Sequence, residues 1–336
     1  MNRKIGASIV ENAGEQAQNI GEKTSSFTSK YCCIIGVIFG SVLIAGRNAH
    51  PTAERRKEKT RSPARVWLGG VTPLRETNSM LLSHRDLGGT GRPPLVLLHG
   101  MLGSSRNWQT AGADLAVQFH VLAPDLRNHG RSPHANEMTY DAMLHDVIDW
   151  LDAKGVERAN FVGHSMGGKV AMLLACRQPA RVERLVVVDI APKDYFWPGH
   201  RQSFAAMNEL NVADLHSRGE AERRFEGRVP NFGLRKFLAT NLERTAEGGW
   251  RWQINLPALT AALPALEQNP LAPDDHFDRS VRFLAGEKSD YVAAADHAVI
   301  RSHFPVADIE VIPGAGHSPH QESRARFVAN VLEFLR

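Results

Sequence analysis

The sequence predicts an α/β fold: a mostly parallel sheet flanked by helices, with a helical cap inserted late in the chain. Short apolar segments that suit buried strands alternate with segments of helical periodicity over residues 80–190, and again over 281–335. Between these stretches the alternation stops, and helical segments follow one another. A glycine-flanked serine turn, described next, stands at the centre of the first stretch.

This turn is the Gly-x-Ser-x-Gly segment from Gly163 to Gly167, which joins an apolar strand at 160–162 to a helix at 170–176. A strand, turn and helix in this order are typical of the nucleophile elbow of the α/β-hydrolase fold. Glycine at both positions avoids a clash in a very tight turn, and the helix directs N–H groups towards developing negative charge. The pattern predicts that Ser165 is a nucleophile.

The remaining elements follow from apolar runs, helical periodicity and turn residues. Strands are expected at residues 80–87, 95–98, 120–124, 184–190, 281–286 and 308–312. Helices are expected at 105–119, 138–152, 293–303 and 324–335, and in the cap at 203–210, 221–225, 234–242 and 256–266. The cap spans about 192–279 and follows the sixth strand in the standard numbering of this fold. Such an insertion encloses a site and shapes its substrate pocket.

The chain divides into a leader, residues 1–75, and a hydrolase domain, residues 76–336. The leader contains sixteen uncharged, mostly apolar residues at 31–46, just below the length of about 17–20 that spans a membrane. Seven Lys or Arg residues follow it by residue 65, which would keep the body on the cytosolic or matrix side. Three interpretations stay open: a membrane anchor, a cleaved mitochondrial or other organelle presequence, and a misannotated start. Glu11, Glu15 and Glu22 count against a plain presequence.

Composition excludes several function classes. Residues 1–66 carry a net charge of +6 and the remainder −2. The positive net charge of the whole chain is therefore no evidence that residues 76–336 bind nucleic acid. Three cysteines, Cys32, Cys33 and Cys176, do not form a disulfide framework. No metal-ligand spacing is present in the sequence, and we expect neither a metal nor a cofactor. The oligomeric state is not encoded in any of these patterns.

The His-Gly-x-x-Gly segment at residues 99–103 follows a buried strand and suits an oxyanion hole. In this fold one donor lies in that loop and the other directly follows the nucleophile. We therefore assign the two donors to the backbone N–H groups of Met101 and Met166. His99 is expected to hold the loop. Asp125 and His129 precede the nucleophile, against the usual chain order, and are expected to shape their own loop.

The general base should follow the last strand, and His317 does so between Gly314 and Gly316, which allow the loop to fold back towards Ser165. His320 is the alternative base. Two acids lie at strand ends where they could orient the histidine: Asp189 and Asp290. Each also has a structural interpretation, Asp189 as a buried acceptor and Asp290 as a helix cap.

Six segments together resemble the serine esterases of the mitochondrial alpha/beta-hydrolase-domain-11 type and their bacterial esterase and acyl-CoA thioesterase relatives. These segments are HGMLGSSRNW, APDLRNHGRSPH, FVGHSMGGKVAMLLA, LVVVDIAP, INLPAL and GAGHSPH. The resemblance covers residues 80–336. It implies Ser165 as nucleophile, His317 as base and Asp189 as acid, although relatives often lack an acid where this chain has Asp290. It also implies hydrolysis of carboxylic esters and acyl thioesters, and some members are linked to mitochondrial lipoylated enzyme complexes.

We therefore expect a cofactor-free serine hydrolase that cleaves esters or acyl thioesters of small or lipid-like substrates through an acyl-enzyme. One alternative is a cofactor-free haloperoxidase with the same three residues. Another is a hydrolase fold retained as a binding module, although such modules tend to lose the serine or the histidine. Membrane association would come from the leader.

Overall fold

The computed structural model of the chain describes residues 80–336. Its strands are β1 (His84–Asp86), β2 (Pro94–Leu98), β3 (His120–Pro124), β4 (Ala159–His164), β5 (Val182–Val188), β6 (Leu242–Arg244), β7 (Trp250–Trp252), β8 (Val281–Gly286) and β9 (Asp308–Ile312). Its helices are α1 (Gln109–Leu115), α2 (Tyr140–Ala153), α3 (Met166–Arg177), α4 (Pro198–Glu209), α5 (Arg218–Arg224), α6 (Phe232–Ala239), α7 (Leu256–Glu267), α8 (His297–His303), α9 (Pro319–Glu322) and α10 (Arg324–Leu335).

Seven strands form one sheet in the order β1-β3-β2-β4-β5-β8-β9. β1 pairs antiparallel with β3, and the other neighbouring strands are parallel. β4 lies between β2 and β5, with Leu98 paired to Gly163 and Val188 paired to His164. The residues that follow these three strands therefore meet at one edge of the sheet, where parallel α/β sheets place their sites.

Apolar side chains cover both faces of the sheet, as a parallel sheet requires. Along β2, Leu95 and Leu97 join a core with residues of α1 and α10, whereas Val96 and Leu98 join a second core with α2 and α3. This alternation follows from the two-residue period of a strand. The fold class predicted from the sequence, a mostly parallel sheet between helices, is confirmed.

The cap is the insertion between β5 and β8, and it contains α4 to α7 with the hairpin of β6 and β7. Each predicted helical segment overlaps a helix, but the expected helix at 234–242 ends at Ala239. Leu242 instead pairs with Trp252 in the hairpin, whose turn contains Gly248 at φ 84°. Within residues 80–336 five strands precede the cap, one fewer than the expected position after a sixth strand requires.

Other boundaries also differ from the sequence expectation. The first strand is limited to β1, because its pairing with β3 covers three residues. A 3-10 turn at Ser105–Trp108 replaces the first part of the helix expected at 105–119, and Ala294–Asp296 does the same before α8. The apolar segment 31–46 and the rest of the leader lie outside the described residues. Within residues 80–336 no helix combines the length and apolar character needed to cross a membrane.

Candidate active site

Ser165 alone makes the turn between β4 and α3, since β4 ends at His164 and α3 begins at Met166. Its backbone lies at φ 51° and ψ −118°, a region that costs a non-glycine residue about 1–3 kcal/mol and that is concentrated at functional sites. Ser165 also lines a cavity beneath the cap. The strained turn thus presents its hydroxyl as a nucleophile elbow does.

Three glycines allow this turn and its neighbouring loop to pack closely. A Cβ atom on Gly163 would lie 2.4 Å from the carbonyl oxygen of Gly167, and one on Gly167 would lie 2.6 Å from that of Leu98. A Cβ atom on Gly100, in the loop after β2, would lie 3.3 Å from the Cβ of Ser165. A side chain at Gly163 or Gly167 would therefore separate α3 from the sheet, and Gly100 keeps its loop against the serine.

The loop after β2 and the start of α3 present two backbone N–H donors. Among the turn and loop hydrogen bonds of residues 80–336, the N–H groups of Met101 and Met166 donate none. Met166 is the first residue of α3, where an N–H has no acceptor within the helix. Both donors are therefore available to a ligand oxygen beside Ser165.

Asp189 and His317 are joined by a hydrogen bond of 2.7 Å from His317 Nδ1 to Asp189 Oδ2. Asp189 directly follows β5 and is fully buried. Its carboxylate also accepts from the N–H of Gly286 at 2.8 Å and from the hydroxyl of Ser289. Because a carboxylate can only accept, the proton of a neutral His317 is assigned to Nδ1, and Nε2 remains free to act as a base.

Several contacts position His317 and its loop. Its ring stacks on that of Tyr291, with centroids 3.8 Å apart and planes at 22°. Its carbonyl oxygen accepts from Nε2 of His164 at 2.7 Å. The carboxylate of Glu322 accepts from the N–H groups of the residues on either side of His317, at 2.7 and 2.9 Å. The stacking on Tyr291 thus orients the ring, and the bonds to His164 and Glu322 hold the backbone that carries it.

Ser165 and His317 line the same cavity. No hydrogen bond joins the Ser165 hydroxyl to the His317 ring within the described residues, and such catalytic bonds often tighten only when substrate binds. The structure therefore brings Asp189 and His317 into direct contact and Ser165 to the same cavity.

The two alternative residues have different surroundings. His320 is buried against Trp108, with ring centroids 4.4 Å apart, and burial lowers its pKa to about 3. Asp290 is exposed and forms no hydrogen bond or ion pair within residues 80–336. The alternative interpretation of Asp290 as a helix cap is wrong, because Ala293 is the N-cap of the turn before α8 and the Asp296 carboxylate accepts from its N–H at 2.8 Å. Neither alternative lies in an acid–histidine pair.

The Arg-Asn-His-Gly segment after β3 connects the sheet to two helices. Arg127 donates to both carboxylate oxygens of Asp146 in α2, at 2.5 and 2.8 Å. Burial raises the pKa of Asp146 despite this arginine. The carbonyl of Asn128 accepts from the N–H of Asn255 at 3.0 Å, and the two side chains bond at 3.1 Å. Since Asn255 is the N-cap of α7, this loop fixes one part of the cap.

Two histidines brace the loops after β2 and β3 against each other. His99 Nε2 accepts from the N–H of Leu126 at 2.9 Å, and His129 Nε2 accepts from the N–H of Leu102 at 3.2 Å. Burial lowers the pKa of His129 to about 3, which keeps its ring neutral and able to accept. Asp125 accepts two backbone N–H groups. These residues shape the loops, as expected from their place in the chain.

Lys169 connects the cap to α3, four residues after the serine. It is fully buried, and Nζ donates to the carbonyls of Glu267 at 3.2 Å and Gln268 at 2.6 Å, where α7 ends. Burial lowers its pKa to about 7. Three aromatic rings surround the ammonium group at 5.0–5.6 Å, those of Tyr140, Tyr195 and Trp197. Because two of these rings precede α4, Lys169 contacts both ends of the cap.

The cavity that contains Ser165 and His317 has a volume of about 620 Å³. From the cap, the apolar side chains of Leu234 and Phe237 line it together with the polar side chain of His200. Burial, followed by the charge of His317, lowers the pKa of His200 to about 4. The described residues contain no group of three or more His, Cys, Asp or Glu side chains arranged to hold a metal ion.

Sequence reasoning missed three of the residues that position the acid and the histidine: Ser289, Tyr291 and Glu322. Ser289 and Tyr291 flank Asp290, which the sequence analysis considered only as an alternative acid. Glu322 follows His317 by five residues, so its bonds to the histidine loop are local. A carboxylate shortly after a glycine-rich histidine loop was the signal that could have indicated it.

Comparison with known proteins agrees with this fold. Residues 93–323 match the family model described as alpha/beta hydrolase fold. The sn-1-specific diacylglycerol lipase ABHD11 of Danio rerio is 35% identical over 283 residues, which cover 81% of this chain and 88% of that protein. Esterase YbfF of Escherichia coli K12 is 36% identical over 242 residues, which cover 72% of this chain and 92% of that protein.

A solved structure described as a marine microorganism esterase superimposes with a TM-score of 0.74 at 36% identity. It covers 76% of this chain, and the match includes all of that chain. The chain therefore belongs to the alpha/beta-hydrolase family, among the ABHD11-type esterases, and is a carboxylesterase-type hydrolase.

Proposed function

We propose that the protein hydrolyses carboxylic esters through an acyl-enzyme on Ser165, with His317 as general base and Asp189 as the acid that orients it. The observation that carries this proposal is the pairing of buried Asp189 with Nδ1 of His317, at a cavity shared with the strained serine. That pairing leaves Nε2 unprotonated, which a base for the serine hydroxyl requires.

In the first half of the reaction, His317 Nε2 takes the Ser165 proton as Oγ attacks the ester carbonyl carbon. The negative charge on the carbonyl oxygen is stabilised by the N–H groups of Met101 and Met166, each worth about 3 kcal/mol by analogy with a measured donor deletion. The intermediate collapses, His317 returns the proton to the alkoxide, and the alcohol leaves. Water then attacks the acyl-enzyme by the same route and releases the acid.

The cavity supports an acyl group as the buried part of the substrate. Its volume of about 620 Å³ lies within the usual range for small-molecule sites, and Leu234 and Phe237 offer apolar contacts from the cap. Relatives are named as a diacylglycerol lipase and an esterase, which favours lipid-like esters. Acyl thioesters follow the same chemistry and are a second substrate class to test.

Labelling with a fluorophosphonate probe tests the nucleophile. We expect the full chain to be labelled and to hydrolyse p-nitrophenyl esters, and Ser165→Ala to lose both while keeping its melting temperature. More than a trace of turnover in a folded Ser165→Ala protein would assign the nucleophile elsewhere. Labelling without hydrolysis of any ester or thioester would mean that Ser165 is activated for a different reaction. A peroxide-dependent halogenation assay would then test the haloperoxidase alternative.

A series of p-nitrophenyl esters and CoA thioesters of rising acyl length tests the substrate class. An apolar acyl pocket predicts that kcat/KM rises with chain length, by up to about tenfold for each two buried methylenes, before it levels off. Leu234→Ser should reduce the gain for long chains more than for acetate. A flat series in both proteins would argue against acyl recognition by the cap.

A further inference from the structure

A second cavity, of about 180 Å³, lies beside the loop that carries Met101. It is formed by β1, the 3-10 turn at Ser105–Trp108, the loop after β3 and the residue after β7. Ser104 and Ser105 line this cavity, whereas Gly103 and Asn107 line the cavity of Ser165. Neighbouring residues of one segment therefore face two different cavities.

Three arginines line this second cavity: Arg85, Arg106 and Arg131. Within residues 80–336 their guanidinium groups form no ion pair and donate no hydrogen bond. Other arginines of the domain are paired, such as Arg127 with Asp146 and Arg282 with Asp308. Three cationic side chains therefore line one small cavity without a partner among the described residues, and a bound anion would find favourable charge there.

The neighbouring acidic residues do not supply that anion. Asp125 also lines the cavity, but it is 4% exposed and accepts from the backbone N–H groups of Ser105 at 2.6 Å and Arg131 at 2.9 Å. Asp86, next to Arg85 in β1, pairs with His120 at 3.0 Å. Three arginines and one carboxylate that already accepts two hydrogen bonds thus line the cavity, which keeps a net positive charge.

A buried hydroxyl adds a donor of a different kind. Ser105 is 2% exposed and lines the cavity, and its hydroxyl makes no hydrogen bond within the described part of the chain. Within residues 80–336 this hydroxyl is not one of the enclosed polar atoms that lack a partner, so it is open to the cavity and can donate to a ligand oxygen there. Planar guanidinium groups that donate in pairs, together with a hydroxyl, match the oxygens of a phosphoryl group.

Size supports the same ligand. A volume of about 180 Å³ corresponds to roughly six water molecules at ~30 Å³ each. A phosphoryl group fits inside, and any organic part attached to it would extend outwards.

We propose that this cavity binds a phosphoryl group, either as inorganic phosphate or as the terminal phosphate of a small phosphorylated molecule, at a site separate from Ser165. The bound group would contact Arg85, Arg106, Arg131 and the Ser105 hydroxyl. It would also restrict the motion of residues 101–106, which connect the N–H of Met101 to this cavity.

Isothermal titration calorimetry on the full chain tests the proposal, with inorganic phosphate, ADP and adenosine as probes. We expect phosphate and ADP to bind at one site, more weakly as salt is added, and adenosine not to bind. ADP that binds much more tightly than phosphate would indicate a phosphorylated organic molecule, and similar affinities would indicate phosphate itself. Absence of binding by both anions at millimolar concentrations would overturn the site.

Arginine variants assign the site within the chain. Arg106→Gln and Arg131→Gln remove exposed, unpaired groups and should leave the melting temperature unchanged, while each weakens binding about tenfold. Arg301→Gln is the matched control, since Arg301 is also exposed and unpaired within the described residues but lies in α8. Ser105→Ala should weaken binding several-fold. Equal binding by all three arginine variants would mean that anions bind elsewhere, for example at the basic leader, and would refute the proposal.

Discussion

Asp189→Asn is the substitution for which the structure gives the sharpest expectation. In the native side chain Oδ1 accepts from the N–H of Gly286 at 2.8 Å, and Oδ2 faces the Ser289 hydroxyl and His317 Nδ1. In the variant the amide oxygen must stay with Gly286, because an NH₂ group there would oppose another donor. The amide nitrogen then faces Nδ1. Since that nitrogen donates, Nδ1 must accept, and the ring proton moves to Nε2.

An imidazole protonated at Nε2 cannot take the proton of Ser165. The equivalent substitution in a serine protease lowers turnover about 10⁴-fold, or about 5.5 kcal/mol at ~1.36 kcal/mol per factor of ten. The fold should change little, because asparagine has the same shape and keeps the hydrogen bond from Gly286. We expect the free energy of unfolding to change by no more than about 2 kcal/mol.

Asp290→Asn is the matched control, because it makes the same chemical change on an exposed side chain in the loop after β8, the strand next to β5. Hydrolysis of p-nitrophenyl butyrate gives kcat for both variants, and urea denaturation gives their stability. We expect Asp290→Asn to keep most of its activity and Asp189→Asn to lose nearly all of it while still folded.

The reverse pattern would move the acid to Asp290 and refute the reasoning from hydrogen bonds. Comparable partial losses in both variants would mean that the two carboxylates share the role, and the double variant alone would then show the full loss. A tenfold loss or less in Asp189→Asn would show that the tautomer of His317 does not limit the reaction.

Three further predictions follow from other parts of the chain. Because burial lowers the pKa of Lys169 from 10.5 to about 7, the unfolded state binds more protons between these values and the free energy of unfolding should rise with pH there; Lys169→Met should flatten this rise in urea titrations. Asn128→Ala should cost about 2–4 kcal/mol, since it loses the bonds to Asn255 and leaves alanine at φ 64°, and Asn128→Gly, which tolerates that φ, should cost less in the same titrations. A chain that begins near residue 75 should fold and keep its kcat, and a folded but inactive product would show that the leader contributes to the site.

The sequence alone was sufficient for features whose cause is local. The elbow could be predicted because so tight a strand-to-helix turn needs glycine two residues before and two residues after the serine, and the close packing around Gly163 and Gly167 supports that reason. The parallel strands could be predicted because burial on both faces requires continuous apolar runs. The exact ends of elements were less predictable, since Leu242 suits a helix by its neighbours but pairs with Trp252 across a hairpin.

Only the tertiary structure decided which groups meet. Asp189 and Asp290 both follow a strand, and the sequence offers no measure of which carboxylate reaches a histidine that lies 128 residues after Asp189. The role of Asn128 in fixing the cap, and the approach of Arg85, Arg106 and Arg131 to one cavity, are likewise contacts between distant segments. Such contacts depend on strand order and loop packing, which no local pattern contains.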